Sequence, residues 1–280
     1  MSEQYFSRNG ELLPVSQAVV PLDNIAYSYG YGVYETIRVH QGIPYFAEQH
    51  YGRLMHSAEV ITLDHPFDEA FVAKNVTALI EANQLTTANL KILLIGGAGR
   101  EEATLYILSL NPHFPDRKLY RDGAVCITTR LERAYPTAKT LNMLPSYLAY
   151  KAAQTAGAYD ALLLDGSDTL REGTRTNFFV LQDKTIIGAP QDSILAGVMR
   201  QAVLQVAERQ GFRVLEQVIP RNSLEQYDAA FLTSTSSKIM PIRQIDDHEF
   251  GEPAPALREL MQHFNDFYDN CSGALSWKPS

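Results

Sequence analysis

Four short segments of the sequence carry groups that together could bind a phosphorylated pyridine ring. Lys139 lies between a proline turn and an apolar helix start, and its amine can form an imine. Glu172 lies between a turn and an apolar strand, and its carboxylate can hold a protonated ring nitrogen. The helix start at 197–200 offers backbone amides to a phosphate, and residues 233–237 offer hydroxyl groups. Taken singly, the segments are typical of a solvated lysine, a polar loop, an ordinary helix start and a surface turn, but together they meet the needs of pyridoxal phosphate.

Other common kinds of active site are missing from the sequence. No two of the seven histidines are four residues apart, and no Cys/His cluster has metal-ligand spacing, so we expect no metal site. There is no phosphate-binding loop followed by Lys-Ser/Thr and no nucleophile elbow. Gly96, Gly97 and Gly99 follow an apolar segment but lack the spacing of a dinucleotide-binding loop. The expected chemistry therefore depends on Lys139 and Glu172.

Composition and charge indicate an acidic chain with ample material for a core. The 280 residues are 45% apolar and 20% charged, and the net charge is −8. These values exclude a disordered or low-complexity chain, and the negative charge disfavours a nucleic-acid partner. No run approaches about 18 apolar residues, so we expect no membrane segment. The N-terminus lacks a signal-peptide pattern and the two cysteines give no disulfide framework, so we expect a cytoplasmic protein.

The elements that must position these groups begin with strands and two helices in the first half. The Asn-Gly pair at 9–10 predicts a hairpin turn, and residues 32–40 are rich in strand formers. Apolar residues recur with helical spacing over 48–63 and 66–82, with Pro66 in the first turn of the second helix. Further strands are predicted at 90–95 and 104–110.

A boundary between two domains is predicted within 111–123, which contains two prolines and five charged residues. We expect a small N-terminal domain over 1–115, a linker over 116–123 and a larger C-terminal domain over 124–280. In the second half, strands are predicted at 124–130, 160–165, 177–182, 185–188, 212–218 and 229–233. Helices are predicted at 145–155, 198–210 and 223–227, with a last one around 257–264. The mixed order of strands and helices favours an α+β fold.

The order of these motifs resembles the class IV, or fold type IV, pyridoxal-phosphate family, which includes D-amino acid aminotransferases, branched-chain aminotransferases and aminodeoxychorismate lyase. Residues 30–35 (GYGVYE) resemble its N-terminal substrate-side motif, and Arg53 in HYGRLMHSA matches its phosphate-binding arginine. Lys139 matches the imine lysine, and Glu172 in REGTRTN matches the carboxylate at the pyridine nitrogen. The segments AGVMR and TSTSSKIMPI match its two phosphate segments. The resemblance covers nearly the whole chain.

The resemblance implies a fold, a cofactor and a role for each matched residue. The implied fold has two domains, a smaller α/β N-terminal domain and a pseudo-barrel C-terminal domain, and family members are usually dimers. The implied cofactor is pyridoxal 5'-phosphate. Lys139 would bind it covalently and move the substrate proton, and Glu172 would keep its ring nitrogen protonated. Its phosphate would be bound by the Arg53 side chain, the amides of Val198 and Met199, and the hydroxyls of Ser234 and Thr235.

The substrate side departs from the known members of this family. Leu144 stands where branched-chain enzymes place a tyrosine, which favours the D-amino acid version. The Arg-x-His pair that binds the substrate carboxylate in the D-amino acid enzyme is missing, and Arg38 or Arg100 could replace it. Strand alternation places Tyr34 and Arg38 on one face, so both are candidate substrate-binding residues. Pairing of Arg38 with Glu35 or Glu48 on the surface is an equal alternative.

Two enzymatic functions fit these motifs. An aminotransferase would move an amino group between an amino acid, of D-amino acid or branched-chain type, and a 2-oxo acid, and EGTRTN and TSTSS resemble this class. The alternative is aminodeoxychorismate lyase, which releases pyruvate and p-aminobenzoate, and LKILLIGGAGR, KTLNML and GVMRQ resemble that enzyme. A non-catalytic relative is disfavoured because both Lys139 and Glu172 are present.

Overall fold

The computed structural model describes residues 4–112 and 114–271, and these form two compact units. The described residues of the first unit are 4–112, 138–142 and Cys271. Those of the second unit are 114–137 and 143–270. The sequence boundaries assigned everything from 124 onward to one domain, whereas the short segment that carries Lys139 groups with the first unit. Lys139 and Glu172 therefore belong to different units.

The first unit is built on one antiparallel sheet. Its strands are β1 (Tyr5–Arg8), β2 (Glu11–Pro14), β3 (Gly32–His40), β4 (Ile43–Pro44), β5 (Thr87–Ile95) and β6 (Thr104–Leu110). Their spatial order is β2-β1-β6-β5-β3-β4. Asn9 and Gly10 both have positive φ angles, 50° and 87°, which confirms the predicted hairpin turn between β1 and β2. The long β3–β5 pairing forms the centre of the sheet.

Two helices, α2 (Ala47–Val60) and α3 (Glu69–Ala82), bury one face of this sheet. The short helix α1 (Ile25–Tyr29) contacts β6 through the Tyr27 hydroxyl, which lies 2.8 Å from that of Tyr106. Val33 and Ile37 of β3 share a buried apolar core with Leu54 of α2. The second predicted helix begins later than expected, because the Asp68 side chain accepts a hydrogen bond from the Phe71 N–H at 2.7 Å and so caps the helix there. The predicted first-turn position of Pro66 is therefore wrong.

The second unit contains a larger mixed sheet. Its strands are β7 (Ala124–Arg130), β8 (Asp160–Leu164), β9 (Thr169–Gly173), β10 (Asn177–Gln182), β11 (Thr185–Gly188), β12 (Arg213–Glu216), β13 (Ile219–Pro220), β14 (Ala229–Ser234), β15 (Lys238–Ile245) and β16 (His248–Glu249). Their order is β12-β11-β10-β14-β15-β7-β8-β9-β13, and β16 pairs with β15. Because β9 also pairs with β10, the strands between them form a closed ring. This closure gives the pseudo-barrel expected for a C-terminal domain of fold type IV.

Four α-helices accompany the second sheet in the part of the chain that the structure describes. They are α4 (Arg117–Asp122), α5 (Leu144–Thr155), α6 (Val198–Arg209) and α7 (Pro255–Asn270). The predicted linker over 116–123 contains α4, because the Asp116 side chain caps it by accepting from the Lys118 N–H at 2.9 Å. Within the described ranges, no helix is both long and apolar enough to cross a membrane.

Candidate active site

Backbone hydrogen bonds fix Lys139 at the edge of the first-unit sheet. The Tyr34 N–H donates to the Lys139 carbonyl at 2.9 Å, and the Leu141 N–H donates to the Gly32 carbonyl at 2.9 Å. The Lys139 N–H donates to Ser57 Oγ of α2 at 3.0 Å. The segment thus continues the sheet beside β3 as a short antiparallel bridge. Both backbone groups of Lys139 are thus used for positioning.

The Lys139 amine shares the ring of Tyr34 with a second lysine. Lys139 Nζ lies 4.6 Å and Lys91 Nζ lies 3.5 Å from the ring centroid, both within the range of a cation–π contact. Burial lowers the pKa of Lys91, and the charge of Lys139 acts in the same direction. The sequence analysis missed Lys91. Its place inside the otherwise apolar strand LKILLI is the signal that could have revealed it.

Arg53 is held by a buried carboxylate on β3. Arg53 Nε donates to Glu35 Oε1 at 2.6 Å, and a terminal nitrogen of Arg53 donates to Glu35 Oε2 at 2.8 Å. His50 Nδ1 lies 2.7 Å from the same Oε2. Burial alone would raise the pKa of Glu35, but Arg53 and His50 outweigh it and hold that pKa far below its usual range. Burial also lowers the pKa of His50, because the Glu35 charge offsets it only in part.

The two arginines considered for the substrate carboxylate occupy very different surroundings. Arg38 is buried on β3, two residues beyond Thr36 and four beyond Tyr34, so alternation places it on the face of Tyr34. Glu35 points to the opposite face, where it binds Arg53, so it is not the partner considered for Arg38. The Arg100 side chain is 56% exposed and pairs with Asp64 at 3.0 Å. Its surroundings are those of a solvated surface ion pair.

In the second unit, Glu172 lies where the sheet closes. It is paired with Asn177 across β9 and β10, and its side chain is buried. Arg133 Nε donates to Glu172 Oε1 at 2.7 Å, and the Leu195 N–H donates to Glu172 Oε2 at 3.1 Å. Each carboxylate oxygen therefore has a fixed donor. The sequence analysis missed Arg133, which lies 39 residues away along the chain.

The buried side chain of Asp160 holds the tight loop after Glu172 through hydrogen bonds. Asp160 Oδ1 accepts from the Thr174 hydroxyl at 2.5 Å and Oδ2 accepts from the Thr176 hydroxyl at 3.0 Å. Burial raises the pKa of Asp160, although these hydroxyls act in the opposite direction. A Cβ at Gly173 would overlap Thr176 Oγ1, so only glycine fits there. The sequence segment read as a polar loop is in fact a buried strand end with a supported turn.

The start of α6 is tied to the same region. Asn177 Nδ2 donates to the Leu195 carbonyl at 2.8 Å, and a Cβ on Gly197 would overlap Asn177 Oδ1. No side chain of the described residues caps α6, so the first amides, including those of Val198 and Met199, have no acceptor within the helix. A helix start of this kind attracts an anion.

Hydroxyl groups lie at the end of β14, beside Asn177. Thr233 is paired with Asn177 across the sheet, and its buried Oγ1 has no hydrogen-bond partner among the described residues. Ser234 Oγ lies 2.7 Å from Ser237 Oγ and accepts from the Ser237 N–H at 3.2 Å. Thr235 lies in the turn between β14 and β15. The second unit thus brings together Glu172, the start of α6 and this hydroxyl-rich turn.

These residues fit the parts of pyridoxal phosphate one by one. Within the first unit, the Lys139 amine suits an aldehyde and the Arg53 guanidinium suits a phosphate. Within the second unit, the buried Glu172 carboxylate suits a pyridine nitrogen, and the start of α6 and the orphaned Thr233 hydroxyl suit a phosphate. Over residues 4–112 and 114–271, no group of three or more His, Cys, Asp or Glu side chains is arranged to hold a metal ion.

Known proteins resemble this chain over nearly its whole length. The amino-transferase class IV family model matches residues 32–245. The D-alanine aminotransferase of Bacillus licheniformis is 32% identical over 258 residues, which covers 88% of this chain and 90% of that protein. A putative branched-chain-amino-acid aminotransferase of Methanocaldococcus jannaschii is 29% identical over 273 residues, covering 91% and 94%.

Solved structures agree with this fold. The branched-chain amino acid aminotransferase of Escherichia coli superposes with a TM-score of 0.88 at 26% identity, covering 95% of each chain. A second branched-chain amino acid aminotransferase, solved with pyridoxamine 5'-phosphate, gives a TM-score of 0.87 at 24% identity over 95% of this chain and 94% of that one, which speaks to the fold alone. Each of these four relatives is named as an aminotransferase, and they give no support to the lyase alternative.

Proposed function

The chain belongs to the class IV aminotransferase family, and we propose that it transfers an amino group between an amino acid, of D-amino acid or branched-chain type, and a 2-oxo acid. Enzymes of this family use pyridoxal phosphate, and this chain provides a matching set of residues. The observation that carries the proposal is the placement of Lys139, whose backbone is fixed on β3 while its amine lies against the ring of Tyr34.

Lys139 performs the catalytic work in this proposal. When bound, the cofactor supplies an electron sink that allows a proton to leave the substrate Cα. The Lys139 amine would hold the cofactor at rest, and during turnover it would take the proton that leaves the substrate Cα and give it to the cofactor carbon that carries the amino nitrogen. The hydrogen bond to Ser57 and the bridge to β3 hold the Lys139 backbone, from which the amine would act.

The remaining cofactor contacts are assigned residue by residue. Glu172 keeps the ring nitrogen protonated, and the buried surroundings of its carboxylate support this role. Arg53 contacts the phosphate, and a guanidinium with five N–H donors can bind Glu35 and a phosphate together. The proposed phosphate site is completed by the amides of Val198 and Met199 and the hydroxyls of Ser234 and Thr235.

The substrate residues in this proposal are Tyr34 and the arginines considered above. Arg38 is the stronger candidate for the substrate carboxylate, because it is buried and shares a face of β3 with Tyr34. Arg100 is the weaker candidate, because its charge is already paired with Asp64 in solvent. Lys91 adds a second cation on the Tyr34 ring.

A substrate panel tests the proposal. The purified protein is incubated with each of a set of D- and L-amino acids, with 2-oxoglutarate or pyruvate as acceptor, and formation of the new amino acid is measured. We expect transfer from D-alanine or from a branched-chain L-amino acid. Absence of transfer with every pair, or a lack of the absorbance band of lysine-bound cofactor, would contradict the proposal.

The assembly and location of the protein are part of the proposal. We infer a cytoplasmic homodimer, as is usual in the family it resembles. Exposed apolar side chains in α1 and the segment before it, among them Val19, Leu22 and Ile25, offer surface for a second copy. Light scattering after gel filtration is expected to give twice the 31.3 kDa chain mass, and a single-chain mass would contradict the dimer.

A further inference from the structure

An arginine outside the matched motifs is attached to the carboxylate proposed to face the ring nitrogen. Arg133 Nε donates to Glu172 Oε1 at 2.7 Å, and the two side chains are 18% and 6% exposed. Charges this far removed from water interact more strongly than surface pairs do. The contact is therefore a major influence on the charge state of Glu172.

Arg133 is itself fixed at a second point. A terminal nitrogen of its guanidinium donates to the Pro136 carbonyl, so the side chain folds back on its own segment. The other Glu172 oxygen accepts from the Leu195 N–H at 3.1 Å, in the segment that leads into α6. Arg133 and Leu195 together leave the carboxylate little freedom to rotate.

Other charged side chains lie near the pair of Arg133 and Glu172. A small pocket of about 110 Å³ next to the pair is lined by Glu132, Asp165 and Arg171, among others. Arg171 is bound to Asp165, which also accepts from Thr169. The cation in direct contact with Glu172 in these hydrogen bonds is Arg133.

We propose that Arg133 is a positioning residue that keeps Glu172 ionised, so that a proton shared with the cofactor ring nitrogen stays on the nitrogen. This inference rests on the proposed function. In a buried site, the shared proton has two possible positions. On the carboxylate it gives a carboxylic acid beside a neutral pyridine, and on the ring nitrogen it gives a carboxylate beside a pyridinium. Arg133 touches the carboxylate directly, so its attraction to the carboxylate exceeds its repulsion of the more distant ring, and the ionic form is favoured.

The test locates the proton directly. Protein loaded with pyridoxal phosphate that carries ¹⁵N in the ring is studied by NMR, whose nitrogen shift separates a pyridinium from a neutral pyridine. The wild type is expected to show a pyridinium, and Arg133→Gln a neutral pyridine. Arg171→Gln is the matched control, because it removes the adjacent cation bound to Asp165 and should leave the pyridinium signal unchanged. A pyridinium signal in Arg133→Gln equal to that of the wild type would overturn the inference.

A second variant keeps the inference testable if Arg133→Gln does not fold. Arg133→Lys retains a charge but not the forked geometry, so at the same pH a smaller fraction of its ring nitrogen is expected to be protonated than in the wild type. A pyridinium fraction equal to that of the wild type would overturn the inference. A wild type that binds no cofactor would instead refute the proposed function.

Discussion

Each unit contains a buried pair of one arginine and one glutamate, and the two pairs are built differently. In the first unit, Glu35 is held by Arg53 through two nitrogens and by His50, so its oxygens are surrounded by side-chain donors. In the second unit, Glu172 Oε1 accepts from Arg133 Nε, and Glu172 Oε2 accepts from the Leu195 backbone amide. The proposed roles of the two pairs run in opposite directions. Glu35 would orient Arg53 for a ligand, whereas Arg133 would act on Glu172.

The largest expected effect on activity lies outside both pairs, at Lys139. Lys139→Ala should lower kcat by at least about 10³-fold, since a positioned proton-transfer group contributes this order of rate. Both pairs stay intact, so the unfolding midpoint in urea should change little. Lys151→Ala, on the exposed side of α5, is the control and should keep full activity. Near wild-type transamination by Lys139→Ala would refute its role.

Neutralising each carboxylate separates a stabilising pair from a functional one. Glu35→Gln should lower the free energy of unfolding by about 3–5 kcal/mol, because two nitrogens of the largely buried Arg53 would face a neutral amide. Glu172→Gln should cost less stability, about 1–3 kcal/mol, but should lower kcat/KM by more than about 100-fold. Urea unfolding and steady-state kinetics measure the two quantities.

The control for both substitutions is Glu48→Gln, an exposed glutamate of α2, which should change neither quantity. Equal stability losses for Glu35→Gln and Glu172→Gln would remove the distinction between the pairs.

Acid should weaken the first pair through His50. Its pKa is lowered by burial below the ordinary 6.5, so the unfolded chain takes up the proton first. The stability that His50 contributes is therefore present above pH 6.5 and is lost as the pH falls below it. Thermal unfolding of His50→Gln should show a flatter pH profile over this range. His56→Gln, on the exposed side of the same helix, should follow the wild type.

The smallest effect is expected for an arginine pair in solvent. Arg100→Ala breaks an exposed contact with Asp64, so the free energy of unfolding should change little and the KM for the amino acid should stay within about twofold of the wild-type value.

Arg38→Ala should raise the KM for the amino acid by about tenfold or more, as expected for a lost charged contact. If Arg100→Ala raised the KM more than Arg38→Ala did, the substrate carboxylate would be assigned to Arg100 and not to Arg38.

Local sequence patterns predicted most elements because neighbouring residues encode them. The Asn-Gly hairpin and the helical periodicity of α2 and α6 depend on residues a few positions apart. Strand β9 was missed because its charges look solvated in sequence, whereas Glu172 is buried against Arg133. The stretch 116–123, predicted as a linker, holds a helix that its charges did not reveal, because Asp116 provides the cap at which α4 begins.

The sequence by itself determined the candidate groups and their order: Arg53, Lys139, Glu172, the start of α6 and the hydroxyl-rich turn. Only the tertiary structure decided what each group touches. Ser57 meets Lys139 and Arg133 meets Glu172 across 82 and 39 residues of chain. Such long-range contacts form only when the whole chain folds and distant segments are buried together. No local sequence pattern therefore predicts them.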